Sequence, residues 1–199
     1  MTKFGLVVAA TEELGIGIHG DLPWRIPKDM AFFKHVTTHI PKQAEPPTKD
    51  VKLENAVIMG RVTWESIPLK FRPLADRFNL VISRNKDYDL NVAAPSTSKL
   101  VASLDEAFAS IDPQQHPRVF VIGGAQMYKL AIQRTDCTHI VLTRVKSKIN
   151  CDVFFPEIDE AVYRLATHEE LEAYVEKEVP QGVQTHKEIQ YEFTLYIRR

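Results

Sequence analysis

Two cysteines, Cys137 and Cys151, are all that the chain has in 199 residues. With so few, and no C-x-x-C spacing, a disulfide framework is excluded and both read as core or incidental thiols. Long apolar runs are missing as well. The longest, Leu6 to Ala10 behind Phe4 and Gly5, falls far short of the roughly 20 residues a membrane span needs. No charged, apolar and small-residue leader pattern opens the chain, so the expectation is a cytoplasmic protein without a membrane partner. Charge of one sign is scarce too. The 25 basic and 26 acidic residues leave a net charge of −1, which gives no footprint for nucleic acid. Neither internal repeats nor low-complexity tracts occur, which excludes solenoids and arrays. G-x-S-x-G, G-x-x-x-x-G-K-[ST] and H-E-x-x-H are all absent, so the hydrolase, P-loop and metallopeptidase readings lapse. His35 and His39 stand four apart on a predicted helix, but no third ligand follows at useful spacing and no metal is expected.

What is present is ordinary globular composition, 44% hydrophobic and 26% charged. A chain of this length buries roughly 70% of its unfolded surface in one core, so residues 1–199 are expected to form a single domain. The charges are unevenly spread. From Arg25 to Lys86 there are 12 Lys and Arg against 6 Asp and Glu, and the remainder is correspondingly acidic. That asymmetry fits a small anionic ligand held by the first half, or an accident of loop composition.

Five short apolar runs read as strands buried on both faces: Phe4 to Ala10, Ala56 to Met59, Phe78 to Ile82, Val119 to Ile122, and His139 to Leu142. Between them lie helical segments: Lys28 to His39, a short turn from Thr63 to Ile67, Ser103 to Ile111 opened by Ser-Leu-Asp-Glu, and Ala125 to Gln133. Residues 41–54, with Pro41, Pro46 and Pro47, form a hydrophilic loop insertion longer than usual. Tyr191 to Ile197 alternates with period two and predicts an antiparallel strand at the sheet's edge. The acidic stretch Glu169 to Glu178 reads as a solvated approach to it, joined by a hairpin connection at Pro180-Gln181-Gly182. The fold class is therefore α/β: a mixed, mostly parallel central sheet with flanking helices and an antiparallel C-terminal strand.

Several turns suit ligand chemistry. Gly15-Ile16-Gly17-Ile18-His19-Gly20-Asp21-Leu22-Pro23-Trp24 follows the first strand, where open α/β sheets bind ligands. Gly15, Gly17 and Gly20 match G-x-G-x-x-G in form only, because no helix begins there. Asp29 admits two readings. It complements the dipole of a helix begun by Pro27, or it is a carboxylate in an apolar pocket beside Met30, Phe32 and Phe33, able to grip an amidine-like edge with two hydrogen bonds. In such a pocket, burial would raise its pKa. Met59-Gly60-Arg61-Val62-Thr63 leaves a strand through glycine, offers a guanidinium and starts a helix with a hydroxyl cap. Ile122-Gly123-Gly124-Ala125-Gln126 repeats the arrangement with paired glycines, and Ser83-Arg84 closes a third strand. Each turn alone is common, whereas three in one sheet suggest a dinucleotide along its carboxyl edge.

In this order the segments resemble dihydrofolate reductase over essentially the whole chain. The resemblance is carried by Leu-Val-Val-Ala-Ala, Gly-Ile-Gly-Ile-His-Gly-Asp-Leu-Pro-Trp, Pro-Lys-Asp-Met-Ala-Phe-Phe-Lys, Val-Ile-Met-Gly-Arg-Val-Thr-Trp-Glu-Ser-Ile-Pro, Arg-Pro-Leu-Ala-Asp-Arg, Val-Ile-Ser-Arg, Val-Ile-Gly-Gly-Ala-Gln-Met-Tyr, Leu-Thr-Arg and Asp-Val-Phe-Phe-Pro. The 41–54 loop together with Ser66-Ile67-Pro68 resembles the eukaryotic, fungal-type members.

The resemblance implies a monomeric enzyme that reduces 7,8-dihydrofolate with NADPH and is blocked by antifolate inhibitors. Asp29 would hold the pterin's amino and ring N–H edge and raise the basicity of N5, supported by Thr143 from the neighbouring strand. Trp24 and Leu22 would belong to a mobile loop that closes on the reaction, with Ile16, Gly17 and Gly20 shaping it against the nicotinamide and Tyr128 nearby. Val7, Val8 and Ala9 would line the floor, with Val7 and Ile122 offering carbonyls to the pterin. Met30, Phe33, Ile67 and Leu74 would enclose the aminobenzoyl ring, and Arg77 would take the glutamate α-carboxylate. Gly123, Gly124, Ala125 and Gln126 would approach the pyrophosphate opposite Gly60, Arg61, Val62 and Thr63, while Ser83 and Arg84 would receive the 2′-phosphate.

Two positions depart from the family. Val62 and Gln126 stand where many relatives carry basic residues, so phosphate charge would rest on Arg61, Arg84 and the helix N-termini, and the preference for NADPH over NADH is open. Two other readings compete. A reductase of a ribosylated pyrimidine in riboflavin synthesis would keep the cofactor turns but lack the set of Asp29, Phe33 and Arg77. A non-catalytic nucleotide-binding module would bind cofactor without turnover.

Overall fold

The computed structural model describes residues 2–93 and 95–199. In chain order the elements are β1 (Phe4–Thr11), β2 (Gly15–Gly17), α1 (Pro27–Thr38), β3 (Asn55–Gly60), α2 (Arg61–Ser66), β4 (Arg77–Ile82), β5 (Ser98–Val101), α3 (Leu104–Ala109), β6 (Val119–Gly123), α4 (Ala125–Ile132), β7 (Cys137–Val145), β8 (Val153–Phe154), β9 (Tyr163–Leu165), α5 (His168–Val175), β10 (Gln184–His186) and β11 (Ile189–Arg198). A turn of 3₁₀ helix spans Leu69–Phe71.

The five apolar runs become the middle of a nine-stranded sheet, ordered β10-β11-β7-β1-β6-β3-β4-β5, with β9 pairing β11. From β7 to β5 all neighbours are parallel. All of β1 except Ala9 is buried, because parallel neighbours flank it and both faces are covered. Leu6, Val8 and Ala10 point into one apolar cluster with α4. Val7 and Ala9 point into the other, with Phe32 and Val36 of α1 and Leu171 and Val175 of α5. Alternate side chains of one strand thus glue two helical layers to the sheet, each fully buried Val or Leu contributing about 1.5–3 kcal/mol.

Helix α1 begins with Pro27, whose missing N–H costs nothing in the first turn. Asp29, Phe32, Phe33 and Val36 follow the i, i+3, i+4, i+7 spacing that turns one face towards the sheet. Phe32 meets Phe193 of β11 with ring centroids 4.4 Å apart. Residues 41–54 contain no helix or strand.

Four expectations are corrected. Strand β11 is internal rather than an edge, because its ten residues pair with β7, β10 and β9 along different stretches. Its alternation accordingly breaks where Phe193, Thr194 and Leu195 are all buried. The hairpin turn before it is Lys187-Glu188, flanked by the pair His186 and Ile189, rather than Pro180-Gln181-Gly182. The acidic segment contains α5, started by a capping box between Thr167 and Glu170 and anchored by buried Leu171 and Val175. The segment after β1 is partly strand: β2 pairs with β8, and a Cβ on Gly15 would lie 2.6 Å from Cys151 Sγ, so only glycine fits that approach. Among the described residues no helix is long and apolar enough to cross a membrane.

Candidate active site

The carboxyl ends of β1, β3, β4 and β6 open into a cavity of about 1480 Å³. Parallel strands end on the same edge, so their following turns converge there. Val7, Val8 and Ala9 of β1, Ile122 of β6 and Thr143 of β7 form its base. Asp29, Met30 and Phe33 enter from α1, Ile16 and Gly17 from β2, Gly20 and Leu22 from the loop after it, Ile67 and Leu74 from the segment between α2 and β4, and Arg77 from the start of β4. Gly60, Arg61, Val62 and Thr63 face Gly123, Gly124, Ala125, Gln126 and Tyr128, with Ser83 and Arg84 at the end of β4. Of the residues to which the resemblance gave a role, Trp24 alone does not line the cavity. It is 5% exposed and packs into the core with Ile26 and Phe32, and its indole Nε1 has no partner among the described residues.

Among the described residues of the lining, Asp29 is the one carboxylate that is partly buried, the other, Asp21, being exposed. Burial raises its pKa to about 6, against the opposing effect of Thr143, whose hydroxyl donates to Oδ1 at 2.6 Å. Dehydration disfavours the charge more than one hydrogen bond restores it. The result is a carboxyl group poised to change protonation near neutrality, on the side of the sheet where Val7, Phe33 and Ile122 belong to one apolar cluster.

Arg77 is a second buried ionisable group, 5% exposed. Its Nε donates to Ala75 O at 2.8 Å and its Nη1 to Thr37 Oγ1 at 3.0 Å, and among the described residues it has no acidic hydrogen-bond partner. Burial lowers its pKa, while the charge of Asp76, itself held by Lys52 at 3.6 Å, raises it. A desolvated cation facing a cavity with only neutral partners is suited to a carboxylate.

At the other end lies a backbone cradle. Gly123 has φ +136°, and a Cβ there would meet Thr63 Oγ1 at 3.0 Å. Neither α2, capped by Gly60, nor α4, capped by Gly124, uses a side-chain cap, so their first N–H groups stay free. The expected hydroxyl cap at Thr63 is thereby corrected: Thr63 is the third residue of α2 and its side chain packs towards Gly123 and Gly124 instead. Arg61 is held by Glu65 Oε1 at 2.6 Å and lies over the Tyr88 ring. Arg84 is exposed and makes no ion pair among the described residues. Tyr128 is fully enclosed, its hydroxyl donating to Val7 O at 2.7 Å, which occupies one lone pair of that carbonyl and leaves the other.

Lining residues without a sequence signal include Tyr88, Asn85, Lys34 and Phe71. Val153 belongs to β8, which only the pairing with β2 brings to the cavity. A smaller hollow of about 580 Å³ beside α4 shares only Ala125 and Gln126 with the main cavity. Among the described residues no group of three His, Cys, Asp or Glu could hold a metal. His35 and His39 stack on each other and bond to α5 through Val175 O and Glu176.

Comparison with known proteins agrees with this geometry. The family model described as dihydrofolate reductase matches residues 3–188. A dihydrofolate reductase of Pneumocystis carinii is 38% identical over 97% of this chain and 95% of its own length. One of Heliothis virescens is 37% identical over 98% and 96%. The solved structure of Schistosoma mansoni dihydrofolate reductase superposes with a TM-score of 0.76 at 34% identity, covering 100% of this chain and 99% of that one.

Proposed function

The chain belongs to the dihydrofolate reductase family and reduces 7,8-dihydrofolate to tetrahydrofolate, and we propose that it does so with the pterin on Asp29 and NADPH in the glycine cradle. The observation that carries the reading is Asp29: the cavity's one sheltered carboxylate, with a pKa near 6 and a hydroxyl holding one oxygen in place.

The pterin presents an amino group and a ring N–H side by side, and a carboxylate accepts both in a planar pair. That pairing orients the ring over Val7, Val8 and Ala9, and the carboxylate's negative charge stabilises the protonated ring, raising the basicity of N5. The N5 proton arrives through water, since Asp29 holds the opposite edge. The free lone pair of Val7 O and the carbonyl of Ile122 are available to the pterin's remaining donors. Leu22, with Ile16, Gly17 and Gly20, covers the ring and excludes bulk water. Met30, Phe33, Ile67 and Leu74 enclose the aromatic middle of the substrate, and Arg77 receives the α-carboxylate.

Two observations support the cofactor reading: Gly123 has no room for a side chain against Thr63, which brings bare backbone to this end of the cavity, and the first N–H groups of α4 carry no side-chain cap and suit a phosphate. Gly60, Arg61, Val62 and Thr63 oppose it, with Ser83 and Arg84 placed for the 2′-phosphate. When bound, NADPH supplies the hydride that goes to C6. We read the chain as one domain with the 41–54 loop inserted in it, acting as a cytoplasmic monomer whose ligands are dihydrofolate and antifolates rather than nucleic acid or membrane. The ribosylated-pyrimidine reading is disfavoured because Asp29, Phe33 and Arg77 converge on one cavity.

The test is loss of reduced-nicotinamide absorbance with purified protein, NADPH and dihydrofolate, repeated with methotrexate and with Asp29→Asn. Oxidation suppressed by both controls is the expected result. Binding of NADPH with no oxidation would overturn the substrate half of the reading and favour a binding module.

A further inference from the structure

Behind Arg77, outside the cavity lining, lies a hydroxyl that no role above uses. Thr37, in the last turn of α1, is completely buried, and its Oγ1 stands 3.0 Å from Arg77 Nη1. A hydroxyl has one proton, and here it goes to Phe33 O at 2.8 Å, one helical turn back. The oxygen is therefore left to act as an acceptor, and the guanidinium is the donor it meets. The backbone carrying Thr37 is pinned in turn: buried Asn55 donates through Nδ2 to Thr37 O at 3.1 Å and His39 O at 2.9 Å, and its Oδ1 accepts from Arg118 N at 3.1 Å.

From this geometry we infer that Thr37 is the positioning residue for Arg77, fixing the guanidinium's orientation with a neutral acceptor so that its charge stays available to the substrate carboxylate. The inference rests on reading Arg77 as the carboxylate receptor. The chemistry explains the residue type. An Asp or Glu at this place would hold the arginine equally well but neutralise it and compete with the ligand. An apolar residue would leave a buried N–H unpaired and free the side chain to rotate. With Ala75 O on Nε and Thr37 on Nη1, two edges of the planar fork are tied down, and the rest has a fixed heading for a paired contact.

The experiment compares dihydrofolate with a dihydropterin that lacks the carboxylate-bearing tail, in wild type and in Thr37→Val, Thr37→Ser and Thr37→Asp, with thermal melts alongside. Thr37→Val is expected to raise KM for dihydrofolate about tenfold, with kcat within about twofold and kcat/KM for the truncated substrate unchanged. Thr37→Ser, which keeps the oxygen, restores KM to within about threefold. Thr37→Asp keeps Arg77 in place yet loses the preference for the carboxylate-bearing substrate, and this arm carries the test if Thr37→Val does not fold. Equal losses on both substrates, or an unchanged KM in Thr37→Val, would overturn the positioning role while leaving Arg77 as the receptor. A wild type that treats the two substrates alike would overturn the reading of Arg77 itself, and the inference with it.

Discussion

Thr143 Oγ1 donates to Asp29 Oδ1 at 2.6 Å, joining residues 114 positions apart in the chain. The contact is fixed by the sheet: Thr143 sits on β7 opposite Ala9 of β1 and Phe193 of β11, on the face that α1 covers. It sets one carboxylate oxygen and leaves the other to the cavity. Burial is the larger influence on Asp29, and the hydroxyl opposes it. Thr143→Val should therefore move the Asp29 pKa upward from about 6, by up to about one unit. The check is the carboxyl resonance of the unliganded protein followed by NMR through pH 4 to 9; a downward move would contradict the assigned direction.

The same pKa makes a stability prediction. The folded protein binds the Asp29 proton with a pKa of about 6, against the ordinary 3.8, so between those values the folded state holds more protons than the unfolded one. Stability on this account falls as pH rises through that window and stays reduced above it. Asp29→Asn keeps an oxygen to accept from Thr143 and removes the charge. It should raise stability at pH 8 by roughly 1 kcal/mol once water at the cavity mouth is allowed for, read as a higher melting point, with the gain fading towards pH 4 and below. Turnover should move the other way, dropping about a hundredfold at pH 7 and recovering partly on acidification, as solution protons reach N5 without the carboxylate. Melts and kcat measured on one pH series check both halves.

The central fold is legible in the sequence because strands buried on both faces must be apolar throughout. Phe4–Thr11, Asn55–Gly60 and Val119–Gly123 announce themselves that way. Short or peripheral strands carry no such mark. Ser98–Val101 pairs on one side only and shows just two apolar residues, and Tyr163–Leu165 exists only because β11 is long enough to reach it. Helix α5 hides behind its acidic surface, although Thr167-His168-Glu169-Glu170 spells its capping box. In the cavity, the glycine turns are legible because a close approach excludes side chains. Thr143 is recoverable only through family resemblance, since nothing local ties it to Asp29. Thr37 shows no sequence signal at all, and Trp24 goes to the core because its large apolar ring packs beside Ile26 and Phe32.

Arg61 and Arg84 are unequal candidates for the cofactor's extra phosphate. Arg61 is already paired with Glu65, whose Oε1 also accepts from Tyr88 at 3.3 Å, whereas Arg84 is exposed and unpaired among the described residues. On the proposed reading, with Val62 and Gln126 uncharged, discrimination falls on Arg84. Arg84→Ala should lower kcat/KM with NADPH about tenfold and leave NADH within about twofold. Equal losses with the two cofactors would remove Arg84 from the 2′-phosphate.

Gly123 offers the sharpest test of the cradle, because two constraints fall on one residue. Its φ of +136° is a conformation that L side chains rarely adopt, and a Cβ there would stand 3.0 Å from Thr63 Oγ1. Gly123→Ala should cost about 2 kcal/mol of stability from backbone strain alone. In protein kept folded at low temperature it should weaken NADPH binding at least about tenfold, since on the proposed reading the pyrophosphate lies against this backbone. Pairing it with Thr63→Ala relieves the contact but not the strain, so the double variant should regain part of the melting point and little of the affinity. Thermal melts and quenching of tryptophan fluorescence by NADPH read the two effects separately. A Gly123→Ala protein that melts lower yet binds NADPH normally would make this glycine a matter of folding and place the pyrophosphate elsewhere along the strand ends.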